Sequence, residues 1–187
     1  MGTQSFLINS NPSSPSSLAD CIRELKQCSL IFMGALADSP QDFQMAHDVS
    51  NTAVQYLDHI VNEIMRHRDQ LKSESAYNAS PLKPLLERNA GLSVSPVTRI
   101  HQNQLPTLGS GNGNLNFIGT TASPINMVRL LNKIKHRRID SMNFRIESPN
   151  RHALLVAVDT PSGHPDCIVE FFISDFCAHC KSIALVI

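Results

Sequence analysis

The chain has 187 residues, 42% of them hydrophobic and 17% charged, which is enough for one compact domain and too little for two full ones. Lys and Arg number 16, as do Asp and Glu, so no global charge selects nucleic acid or a membrane surface, and with no Trp there is little aromatic material for stacking on bases. The longest apolar runs fall far short of the roughly 20 residues a membrane span needs, and the five cysteines (Cys21, Cys28, Cys167, Cys177, Cys180) do not form the framework of a small disulfide-stapled domain.

Residues 1–17 are rich in Ser, Asn and Pro and contain no acid. They lack the basic and apolar regions of a Sec signal peptide. Phe6 stands where a myristoylation signal wants Ser or Thr. The composition predicts a disordered terminus. Its sharper reading is an unfolded export signal of the type III secretion kind.

Ser17 is a suitable N-cap for a helix over Leu18 to Ala37, with Ile22, Leu25, Leu30, Ile31 and Met33 as its apolar stripe. Asp38-Ser39-Pro40 ends it. Ser39 or Pro40 starts a second helix, about Gln41 to Ser73, whose stripe runs through Phe43, Ala46, Val49, Val54, Leu57, Ile60, Val61 and Ile64. The two helices, residues 18–73, read as an antiparallel hairpin.

Residues 74–122 read as a loop-rich linker. Pro, Ser, Asn and Gly dominate, with a short helix over Pro81 to Arg88 and a short strand over Leu115 to Ile118. The run Gly109 to Gly113 is not followed by the Lys-Ser/Thr pair of a phosphate loop.

From Ser123 the pattern predicts a helix, with Ser123 as cap, Pro124 in the first turn and Met127, Leu130, Leu131 and Ile134 facing inward. Lys133, Lys135, His136, Arg137 and Arg138 give it a basic end that suits the helix dipole, or else a polyanion patch. Three strands follow, Asn143 to Glu147, Ala153 to Asp159 and Ile168 to Ser174. The last two are apolar on both faces.

Thr160-Pro161-Ser162-Gly163 suits a type I turn closed by a left-handed Gly. In the register this turn implies, His152 faces Phe172 and Leu154 faces Glu170. His152 and Glu170 then share one face a diagonal step apart, roughly 7–8 Å between backbones. A one-residue slip would reverse that placement. A glutamate in the run Cys167-Ile-Val-Glu-Phe-Phe-Ile173 needs a partner, and a histidine would both relieve its burial and be oriented by it as a base. A structural ion pair or an exposed strand edge is the simpler reading.

Leu105-Pro106, Asn114-Leu-Asn-Phe117, Ser123-Pro-Ile-Asn-Met127, Asn143-Phe-Arg-Ile146, His152, Gly163 and Glu170 together resemble the front half of the YopJ family. These are bacterial type III effectors that acetylate Ser, Thr or Lys residues of host signalling proteins. The order and spacing carry the resemblance, over Leu105 to Ile187. It implies a cysteine-protease-like half-domain at residues 123–187, with His152 as base and Glu170 as its orienter. It further implies acetyl-CoA and inositol hexakisphosphate as cofactors, host kinases and similar signalling proteins as partners, and secretion to the host cytoplasm with the help of a secretion chaperone. The departures are specific. The family's nucleophilic Cys lies tens of residues beyond the Glu, whereas 17 residues follow Glu170 here, and Cys177 and Cys180 come too early. Phe171-Phe172 replaces the family's Pro-Ala, and the distal cofactor-binding region is not in this sequence. The resemblance therefore implies a truncated or degenerate member that acts by binding.

Other constellations stay open. Cys177-Ala-His-Cys180 has the spacing of a thioredoxin-like dithiol. His164, Cys167, Cys177 and Cys180 could supply zinc ligands, but the pairs flank a strand roughly 30 Å long at the rise of extended chain, which argues against one metal site. Cys28, His152 and Asp175 follow a papain-like order. The expected architecture is α+β: a helical hairpin, then a helix packed on a small antiparallel sheet. The alternative function is a non-catalytic interaction protein, chaperone- or immunity-type, that binds through the hairpin. Exposed apolar residues on the hairpin would favour binding, and a His152–Glu170 contact beside an open cleft would favour catalysis.

Overall fold

Ser17 caps the first helix in the computed structural model, which describes residues 17–108, 117–147 and 150–187. The export-signal reading of residues 1–16, the Gly109 to Gly113 run and Leu115-Asn116 of the expected short strand lie outside the described residues, while Phe117 and Ile118 are turn and coil.

Helix α1 spans Leu18–Ala37, and the Ser17 side chain accepts from the Asp20 amide at 3.1 Å. Helix α2 spans Phe43–Ser73. Its cap is Asp42, not Ser39 or Pro40, and the Asp42 carboxylate accepts from the Met45 amide at 2.8 Å. The two helices pack as an antiparallel hairpin through Ile22, Leu25 and Cys28 of α1 and Ala53, Leu57, Ile60 and Ile64 of α2. Each large apolar side chain buried in this way contributes roughly 1.5–3 kcal/mol. The α1 stripe is corrected in one respect: Leu30 and Ile31 are exposed, and Phe32 and Ala35 take the inner positions. At 3.6 residues per turn Leu30 lies about 140° around the helix from Leu25, so the two cannot share a face.

The stretch read as a linker carries helix α3 (Leu82–Leu86), strand β1 (Asn89–Ser95) and helix α4 (Arg99–Gln104). Ser123 and Pro124 lie in strand β2 (Thr121–Asn126) rather than in a helix. The following helix, α5 (Met127–Lys135), is capped by Asn126, whose side chain accepts from the Arg129 amide at 3.1 Å. Strands β3 (Arg137–Glu147), β4 (Arg151–Asp159) and β5 (Pro165–Phe172) follow, and helix α6 (Ile173–Ala184) closes the chain's regular structure. The architecture is α+β, with the sheet ordered β2-β1-β5-β4-β3 and antiparallel throughout.

One face of the sheet packs against α1, α2, α5 and α6, through Leu154, Val156, Val158, Val169 and Phe171. The opposite face, with Val94, Ala153, Leu155, Ala157 and Ile168, is covered by Val97, Leu105, Leu108 and Phe117. Central strand β4 is thus apolar on both sides because it has a layer on each. Gly91 approaches β5 so closely that a Cβ there would lie 2.6 Å from the Glu170 carbonyl oxygen. Gly91→Ala is expected to lower stability by about 1–3 kcal/mol in urea denaturation, because the strands must part to admit the methyl group.

Candidate functional site

The Thr160–Gly163 turn forms as the residues predict. Gly163 has φ +80 and donates to the Thr160 carbonyl at 2.9 Å, and Thr160 donates to the His164 carbonyl at 2.8 Å. The register beyond it does not follow. Asp159 pairs with Pro165, but Val158 pairs with Cys167, so a bulge at Asp166 shifts every later pair by one residue. Pro165 has no N–H to give the ladder, and a bulge is where a sheet accommodates such a residue. Asp166, set aside by the bulge, meets Lys133 of α5 in an ion pair.

The shift separates the two expected site residues. Glu170 pairs with Leu155 and Phe172 with Ala153, so Glu170 shares its face with Ala153 and Leu155. His152 points to the other face. There its ring stacks on Phe32 of α1 with centroids 4.3 Å apart, and Nδ1 shares a hydrogen bond with the Ser29 hydroxyl at 2.8 Å. His152 is buried, its Nε2 has no hydrogen-bond partner among the described residues, and burial pushes its pKa down to about 4. The expected same-face His152–Glu170 pair is therefore corrected. His152 fastens the hairpin to the sheet. Glu170 is buried on the face that also carries Arg145 and Glu147, which form a buried ion pair along β3. Glu170 also borders a small cleft of about 330 Å³ beside β1, together with Asp175 and His179 of α6.

The cysteine readings meet a similar obstacle. Cys177 and Cys180 face inward from α6, and burial pushes the Cys177 thiol up to about 12 and Cys180 also upward. A dithiol poised for exchange needs the reverse shift. Cys28 is buried on α1, its thiol pushed up by burial and by Glu24, and Asp175 pairs with Arg151 at 2.6 Å. Among the described residues, no group of three or more His, Cys, Asp or Glu side chains is placed to hold a metal ion. No described helix is long and apolar enough to cross a membrane. Of the basic run, Lys133 of α5 and Arg137 and Arg138 of β3 engage Asp166, Asp58 and Asp140, so most of its charge is already paired.

The hairpin presents a different kind of site. Its outer side forms an open groove of about 620 Å³ between α1 and α2, lined by Glu24, Cys28, Ile31, Asp42, Met45, Asp48 and Tyr56 among others. Ile31 is 38% exposed and Met45 48%, and elsewhere on the hairpin Leu30 and Phe43 reach 51% and 67%. Large apolar side chains exposed together on one element mark interaction surfaces. Sequence reasoning missed the groove because it assigned Leu30, Ile31 and Phe43 to the core. The available signal was the phase of Leu30 and Ile31, which lie off the α1 stripe set by Ile22, Leu25 and Phe32.

In comparisons with known proteins, no family model, no curated protein and no solved structure matches the chain.

Proposed function

We propose that this protein acts by binding another protein through its helical hairpin. The supporting observation is the groove between α1 and α2, in which Ile31 and Met45 stay accessible while their helices bury full apolar faces elsewhere. Apolar side chains in a concave surface supply the anchor contacts on which protein recognition depends. The reading covers a secreted effector that binds host signalling proteins as well as a chaperone- or immunity-type partner, since both would use this surface. Acyl transfer by His152 and Glu170 draws no support from the geometry. The two side chains leave opposite faces of the sheet, and a base cannot be oriented by a carboxylate it does not meet.

The test is a selection of helical binders from a displayed library against the intact chain. The selected binders are expected to lose about thirtyfold or more in affinity for the Ile31→Asp/Met45→Asp variant, since a charge placed at a buried anchor removes a contact that carries much of the binding energy. They should keep their affinity for Leu185→Asp, which changes an exposed residue outside the groove. No selectable binder, or binders indifferent to Ile31 and Met45, would refute the reading.

A further inference from the structure

The groove's walls and charges narrow the chemistry of what it takes, and this inference rests on the binding reading above. Every described lining residue comes from α1, from Asp42 at the hairpin turn or from α2, and among the described residues no strand edge borders the groove. The backbone of a helix wall is already hydrogen-bonded to itself, so the groove has few N–H or C=O groups to offer an extended peptide. Such a peptide would leave its own backbone groups unpaired against apolar side chains. A helix brings its backbone bonds with it and needs only side-chain packing. From Glu24 to Ile31 the α1 wall advances about 10 Å at the helical rise, room for two turns of a partner and for anchors at i, i+3 or i+4, and i+7.

The charges are one-sided. Glu24, Asp42 and Asp48 line the groove, and among the described residues no Lys, Arg or His does. Their existing partners are local or outside the groove. Arg23 meets Glu24 at 3.1 Å, Gln44 donates to Asp48 at 2.9 Å, His47 Nδ1 lies 3.4 Å from the same Asp48 carboxylate, and Asp42 caps its own helix. Neither Arg23 nor His47 is among the residues that line the groove. Three carboxylates around an apolar floor complement an apolar ridge flanked by positive charge.

We infer that the hairpin groove receives an amphipathic partner helix whose apolar ridge is flanked by Lys or Arg and packs on Ile31 and Met45 between Glu24, Asp42 and Asp48. Complementary rim charges of this kind mainly set partner choice and association rate, and their effect weakens with salt.

The experiment is a selection from a displayed helical peptide library with leucines fixed at i, i+4 and i+7 and the flanking positions randomised between Lys and Glu. Against the intact chain, Lys is expected at the flanks. The winning peptide should bind about tenfold more weakly to Glu24→Lys/Asp48→Lys, and the same selection against that variant should turn the flanks to Glu. Circular dichroism melting of the variant, with its helices retained, keeps the comparison interpretable. Peptides that depend on Ile31 and Met45 but show no Lys preference would overturn this inference and leave the binding reading standing. Peptides that ignore Ile31 and Met45 would overturn both.

Discussion

Replacing Arg145 with methionine is expected to destabilise the protein by about 3–5 kcal/mol, the usual cost of removing one member of a buried ion pair. Alternation along β3 puts Arg145 and Glu147 on the face covered by Val97, Leu105 and Phe117, and both are buried there. The change keeps most of the side-chain volume but withdraws the cation that faces the Glu147 carboxylate. The carboxylate must then stay charged in a poor solvent or take up a proton at a cost. Arg145→Met/Glu147→Met should recover much of the loss, because an apolar pair of similar size is often as stable as the ion pair it replaces. Urea denaturation of the two variants measures both numbers. A single mutant within about 1 kcal/mol of the parent would mean that water reaches this layer, as at exposed pairs.

The second large effect is on acid stability. His152 has its pKa lowered from the ordinary 6.5 to about 4 because it is buried against Phe32 and Phe144. The unfolded chain takes up this proton near pH 6.5, and the folded chain resists until about pH 4. The stability that neutral His152 contributes is therefore complete above pH 6.5 and drains away as pH falls toward 4. The shift corresponds to a loss on the order of 3 kcal/mol over that window. The carboxylates whose pKa values are lowered, Asp48, Glu63 and Asp140, act below their ordinary values of 3.8 to 4.5 and so add little before the bottom of it. His152→Gln should be less stable at pH 7, through loss of the ring stack, and should show a much flatter pH dependence between 6.5 and 4.5. An unchanged slope would show that His152 is not the group responsible.

Much of the fold is legible in the residues, and the failures have local causes. Ser17 is a cap with an unambiguous stripe behind it, and the Thr160–Gly163 turn is fixed by Pro161 and Gly163. Strand β1 was hidden because Asn89-Ala-Gly-Leu-Ser-Val-Ser95 has only two large apolar residues, and its place between β2 and β5 comes from tertiary pairing. Ser123-Pro124 has the composition of a helix start, but Pro is also tolerated in an edge strand, and Asn126 is the residue that caps. Helix α6 was readable. Ile173, Phe176, Cys177, Cys180 and Ile183 stand at helical spacing, and the Cys-x-x-Cys pattern is the inner face of that helix.

The site was less legible than the fold. The placement of His152 relative to Glu170 depended on a single residue of register, and the bulge beside Pro165 decided it. The Arg145–Glu147 pair could not be read as buried until Val97 to Leu108 was known to cover that face. The groove needed the correct phase of α1 along with its partner helix. Patterns within one element set the elements, whereas the surface left open is a property of how two elements meet.

Hydrogen–deuterium exchange on the intact chain, with and without a peptide selected against it, locates the surface the protein binds through. New protection is expected over residues 24–31 and 42–56, the two walls of the groove, with β4 and β5 unchanged. Protection concentrated on the strands around His152 and Glu170, with the hairpin unaffected, would contradict binding through the hairpin.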